Sequence, residues 1–336
     1  MIEPSDSSTE PLARFARASL GRAIWQLANT LLPFLALWVV MAWIFHTRHN
    51  YLWLLLVALP AAALYLRLFI IQHDCSHGSF FRRARANRWL GGILGVITLF
   101  PFAYWKKTHA VHHATSGNLD KRELGDIRTF TVREYAARST WIRFCYRFYR
   151  SMPVMLGLGP FFQFVVKHRL PVGMPWSWKK EWRSVAINNL VLLALGVLLG
   201  PWLGWTTLLA VHLPIVVIAG ALGVWLFYVQ HSFEHGYWTR SAQWSPRRAA
   251  IDGSSFYDLP AVLRWITCNI GYHHIHHLSP RIPNYYLRAA HEATTLENVR
   301  RMDVRASFAC ARMKLWDEDL GCMVGFPAAA QRRNRA

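Results

Sequence analysis

Four apolar runs of membrane-crossing length, set in two closely spaced pairs, constrain this chain more than any other feature. The first, about Leu27 to Phe45, holds no charged residue. The second, about Tyr51 to Ile71, holds only Arg67, near its far end, where a long side chain can snorkel. The third and fourth, about Val185 to Gly200 and Thr206 to Val229, are joined through Pro201-Trp202-Leu203-Gly204-Trp205, a composition that suits an interfacial turn. Such lengths match the roughly 30 Å of bilayer hydrocarbon. They predict an all-α integral membrane protein with four transmembrane helices in two hairpins. Two more apolar stretches, about Trp89 to Tyr104 and Met152 to Val166, are too short or broken by proline, and are expected as interfacial or re-entrant helices.

Composition agrees. Apolar residues make up 53% of the chain and tryptophan alone numbers 17, while the formal charge is +20. That charge would suit nucleic acid if the bases shared one soluble face. Instead they fall between and after the apolar runs, as the positive-inside bias dictates, so no nucleic-acid partner is expected. With four spans, both termini, the long middle region and the C-terminal third share one side. Arg48 is the sole Lys or Arg in the two turns opposite. The other side carries Arg14, Arg17, Arg22, Arg82, Arg83, Arg85, Arg88, Lys106, Lys107, Lys179, Lys180, Arg183, Arg240, Arg247 and Arg248, which makes it cytoplasmic. Cys75, Cys145, Cys268, Cys310 and Cys322 form no CxxC pair, which argues against disulfides and thiolate metal sites. The residues to about Ser19 lack the pattern of a cleaved signal peptide. One membrane domain is expected over 1–326, with a disordered basic tail at 327–336.

The chemistry lies in histidine. Eleven of the sixteen histidines fall in four clusters: His73/His77, His109/His112/His113, His231/His235 and His273/His274/His276/His277. Imidazoles at i, i+3 and i+4 share a helical face, and neutral imidazole is a common ligand of transition metals. The first cluster emerges about a turn beyond the second span, and His231 ends the fourth span in the same way. The HxxHH spacing of His109, His112 and His113 recurs as His273, His276 and His277, which makes ligation the stronger reading over a solvated polar patch. His274 occupies the variable position and reads as a neighbour. His235 is a possible ligand or a nearby support. His46, His49, His168, His212 and His291 have no partners at ligand spacing.

His73, His77, His109, His112, His113, His231, His273, His276 and His277 offer nine nitrogens, too many for one ion of four to six coordination. Two metals are implied. Zinc lacks redox chemistry, whereas two irons with open positions could bind and reduce oxygen. The His73 to His77 spacing also imitates the HExxH of zinc proteases, but Asp74 stands where that mechanism needs its glutamate base. A membrane metal transporter or sensor would place ionisable groups within the spans, whereas these clusters lie beyond them.

These residues resemble the membrane fatty acid desaturases, with three histidine boxes: HxxxH at His73 to His77, HxxHH at His109 to His113 and HxxHH at His273 to His277. The resemblance runs from about Ile71 to Tyr286 and includes Gly125-Asp126-Ile127 and Asn269-Ile270-Gly271-Tyr272. It is nearest to bacterial acyl-lipid desaturases of the Δ12 or omega-6 type, which places the protein in a bacterial inner membrane. It implies a cytoplasmic helical cap around two non-haem iron ions, molecular oxygen as co-substrate, and removal of two hydrogens from the acyl chain of a membrane lipid. The two electrons come from a separate ferredoxin or cytochrome b5 type donor, since no His-Pro-Gly-Gly haem motif is present. If rebound overtakes the second hydrogen abstraction, the same site hydroxylates, so a hydroxylase or ketolase is the neighbouring alternative.

Overall fold

The computed structural model describes residues 10–48, 50–122, 124–170, 173–296 and 299–327, so His49 and nearly all of the tail lie outside the described residues. Four long apolar helices are present: α1 (Leu20–Arg48), α2 (Tyr51–His77), and, after several shorter helices, Lys179–Leu203 and Trp205–His231. Each is longer than its apolar run, because the polar ends stay helical beyond the hydrocarbon. Side chains such as Leu32, Val39, Leu52, Leu190, Leu193 and Leu209 are exposed on their outer faces, as lipid contact requires. The second helix is central, packed against the first and the fourth, with 61% of its apolar stretch buried against 17% to 39% for the others.

Asn50 starts α2, its side chain accepting hydrogen bonds from the backbone of Leu52 and Trp53. Gly78 ends it at φ +71°, with its N–H on the carbonyls of Asp74 and Cys75. Arg67 does not snorkel. It is buried and donates to Thr30 Oγ1 (2.8 Å) and to the Trp265 carbonyl, because neutral acceptors on α1 and on the segment Ala261–Ile266 reach it before solvent does.

The stretch 89–104 is two helices, α3 (Ala84–Ile97) and α4 (Phe102–Thr115). Pro101 precedes the second and Leu99 turns at φ +59°, so the chain changes direction and α4 carries its histidines away from the apolar layer. The stretch 152–166 contains wide i→i+5 turns at Val154–Leu158 and Phe162–Lys167 around the short turn Gly159–Phe161. It packs on the fourth long helix, where Pro160 and Phe164 fill the space a side chain at Gly220 would need. We number the two later long helices α5 (Lys179–Leu203) and α6 (Trp205–His231), followed by α7 (His273–Leu278) and α8 (Asn284–Glu292).

One apolar core, including Met41, Leu54, Leu68, Ile71 and Ile215, lies among the long helices. A second, including Tyr228, Tyr257, Ile275, Ile282 and Leu287, lies in the cap. The cap has a little β structure: Phe256–Tyr257 pairs in parallel with Arg301–Met302, and Leu315–Asp317 pairs antiparallel with Cys322–Val324. Arg150, fully buried, fastens cap to spans by donating to the carbonyls of Arg128 (3.0 Å) and Met313 (3.0 Å) and to Tyr228 Oη (3.2 Å), one turn before His231.

Candidate metal centre

Helix α2 runs about a turn and a half past Ile71 and so delivers His73 and His77 beyond the apolar layer. α4 brings His109, His112 and His113; the last residue of α6 is His231; the short α7 brings His273, His276 and His277. The nine side chains converge in two groups. His73, His77, His109, His113 and His276 form one, and His112, His231, His273 and His277 form the other, the ligand atoms of each lying within 4.8 Å of one another.

The partition follows from helix geometry. In an HxxHH triplet, i and i+4 point about 40° apart, whereas i+3 and i+4 diverge by about 100°. His109 and His113 therefore serve one group while His112 turns to the other. On α7 the roles are exchanged, with His273 and His277 in the second group and His276 in the first. The groups abut where the rings of His113 and His277 stack at 4.2 Å.

The ring orientations fit metal. His112 Nδ1 donates to Asp126 Oδ1 (2.6 Å), and His231 Nδ1 donates to the Gly253 carbonyl (3.2 Å). Each bond fixes the Nδ1–H tautomer and leaves Nε2 as a lone pair facing the group. His112 Nε2 and His77 Nε2 are buried without partners. His231 Nε2 lies 2.9 Å from His273 Nε2, and His276 Nε2 lies 3.0 Å from His113 Nε2. A metal ion at each convergence would take these ring nitrogens as ligands. Burial, together with the neighbouring imidazoles, holds His109, His113, His273, His276 and His277 well below the usual histidine range, which keeps them neutral and able to ligate.

A second layer orients this set. His73 Nδ1 faces Asp74 Oδ1 (3.4 Å), and Asp74 Oδ2 accepts from the backbone N–H (2.7 Å) and Nδ2 (2.8 Å) of Asn284 at the start of α8. Asp126 reaches His112 because Gly125 lies against α4 at φ +87°; a Cβ there would come within 2.8 Å of the Thr108 carbonyl and 2.9 Å of His112 Cβ. Trp105 stacks on His109 at 4.7 Å and packs on Phe69 and Phe100, forming a wall between the histidines and the apolar core.

All nine histidines read as ligands from their spacing are thus brought together. His274 turns away and bonds His291 Nδ1 (3.0 Å). His235 is exposed and belongs to neither group: α6 ends at His231, so the i+4 relation that would align the two does not continue. Of the supports, Asn284 had no signal of its own in the sequence, whereas Asp74 lies inside the first histidine box, Trp105 four residues before the second, and Asp126 in the Gly125-Asp126-Ile127 string that carries the resemblance.

Residues 51–305 match the model of the family described as fatty acid desaturase. The chain belongs to the fatty acid desaturase family. The desaturase is 44% identical over 321 residues, 95% of this chain and 90% of the other, to a protein of Bacillus subtilis named fatty acid desaturase. It is 30% identical over 68% of its length to 64% of a Synechocystis protein named sn-1 acyl-lipid omega-3 desaturase (ferredoxin). An Arabidopsis thaliana chloroplastic omega-6 fatty acid desaturase is 26% identical over 67% of this chain and 49% of that one. The protein is therefore an oxidoreductase of lipid metabolism with histidine clusters able to hold metal.

Proposed function

We propose that each histidine group holds one iron ion and that the desaturase introduces a double bond into the acyl chain of a membrane lipid. The division of nine converging histidines into groups of five and four carries this reading. Two irons, with molecular oxygen and two electrons, would supply the oxidising power that removal of hydrogen from an unactivated methylene demands. The chain's own part is positioning. Asp126, Asp74 and the Gly253 carbonyl hold His112, His73 and His231 in the ligating tautomer, and Trp105 shields His109 from the apolar side. An acyl chain with no polar group near the reacting carbon is located by the shape of its channel alone, so residues at this wall help to set which carbons react.

The electron donor is a separate ferredoxin or cytochrome b5 type protein; the Synechocystis relative, named for ferredoxin, supports the first. The histidine-box strings support a Δ12 or omega-6 product, and relatives named for omega-3 as well as omega-6 desaturation leave the position to product analysis. Lipid profiling of a host expressing the gene tests the activity. A new unsaturated acyl species two mass units below its precursor is expected; an unchanged profile, or a hydroxylated product in its place, contradicts it.

The distribution of basic residues supports a bacterial inner-membrane protein with the histidines and both termini in the cytoplasm. A cytoplasm-active reporter fused after residue 140 or after residue 336 is expected to be active, and one at His49 inactive. An inactive C-terminal fusion that is nonetheless expressed overturns this orientation.

A further inference from the structure

Away from the histidines, a cavity of about 330 Å³ opens between the start of α1, the middle of α2, the segment Ala261–Ile266 and the start of α8. Arg22, Arg67, Arg264 and Arg288 line it, and among the described residues no carboxylate does. Arg67 is the buried one of the four. It is only 5% exposed and within the second span, yet among the described residues its donors meet neutral acceptors alone: Thr30 Oγ1, the Trp265 carbonyl and Asn29 Oδ1. Arg22, exposed, sits over the Tyr286 ring at 5.0 Å, with no carboxylate in ion-pair distance among the described residues. The nearest carboxylate to Arg264, that of Asp258, is 4.0 Å away and already engaged by Arg301. Arg288 is paired with Glu292 (2.8 Å). A guanidinium buried in a span with no matching anion marks a site rather than a structural filler.

Gln26 adds a second, opposite requirement. It is 5% exposed and lines the same cavity, and its Nε2 donates to Asn284 Oδ1 (2.8 Å). That bond leaves Oε1 buried without a partner. The cavity thus calls for an anion and, beside it, a hydrogen-bond donor. Its depth says where they come from. Trp25 and Trp265, which also line it, are 69% and 45% exposed, as in the aromatic belt at the level of lipid head groups. Basic pockets between spans at that level bind lipid phosphates, and guanidinium forks match phosphate oxygens.

We propose that this cavity is a phospholipid head-group site. Arg67, Arg22 and Arg264 bind the phosphodiester, and Gln26 Oε1 accepts a hydrogen bond from a hydroxyl or ammonium group of the same head group. The occupant also steadies the metal centre, because Gln26 holds Asn284, which holds Asp74, which faces His73. The site is independent of which metal the histidines hold.

Native mass spectrometry of the detergent-purified protein tests this with three probes: dioleoyl phosphatidylglycerol, dioleoylglycerol without phosphate, and inorganic phosphate as competitor. One phosphatidylglycerol per chain is expected to be retained where dioleoylglycerol is not, with phosphate unable to displace it. Arg22→Gln and Arg264→Gln, both at the accessible wall and so compatible with folding, are each expected to weaken retention by about tenfold, the loss of one charge-assisted hydrogen bond. Equal retention of dioleoylglycerol, or undiminished retention in both variants, would show a lipid held by its tails and overturn the proposal. Displacement by inorganic phosphate would overturn the lipid as occupant and leave a free-anion site.

Discussion

Replacing His112, His231 or His276 by alanine is expected to reduce desaturation to background while leaving membrane insertion unchanged. His112 and His276 are the residues each HxxHH helix contributes to the other helix's group, and His231 closes the group of four from the end of a span. Losing one leaves a buried, incomplete cage whose remaining ring nitrogens still crowd one another, as those of His109 and His113 do at 3.1 Å. The effect should exceed the roughly hundredfold that loss of an outer-layer support costs a metal site. His235→Ala, in an exposed side chain outside both groups, is expected to turn over near the wild-type rate. Product formation per inserted enzyme is the measurement. Near-normal turnover in His231→Ala, with loss in His235→Ala, would reverse the assignment of these two residues.

The second large effect is expected at Asp126. Its Oδ1 fixes the His112 tautomer across a 2.6 Å bond, and both side chains are nearly excluded from solvent. Asp126→Ala removes the acceptor that holds His112 Nδ1, frees the ring to turn, and should lower metal retention and turnover by about ten- to a hundredfold. Asp126→Asn keeps an acceptor oxygen without the charge and should fall between alanine and wild type. Metal content and rate, measured together on the same preparations, check this. A variant that lost activity at full metal content would place Asp126 in a role other than orienting a ligand.

Much of this was legible in the sequence, for two physical reasons. Bilayer thickness imposes length on the spans, so Leu27 to Phe45 and its three counterparts stand out without tertiary information. Helical spacing imposes i, i+3 and i+4 on ligands that share a helix, so the two HxxHH strings declare themselves. What was hidden depends on contacts distant in sequence. Asn284 supports Asp74 from 210 residues away, and Trp105 acts through its stack on His109. The division into five and four required the relative orientation of α4 and α7, which spacing within either helix does not contain. Arg67 was visible as a charge within a span, but its burial against Thr30 and the Trp265 carbonyl, in place of snorkelling, depended on how the cap folds over α1 and α2.

The most direct test of the central claim is metal analysis of the detergent-purified full-length protein after iron loading. With one ion for each histidine group, about two irons per chain are expected, falling to about one in His231→Ala, which leaves the group of five intact. A protein that never exceeds one metal per chain, or that is fully active with zinc alone, would contradict it.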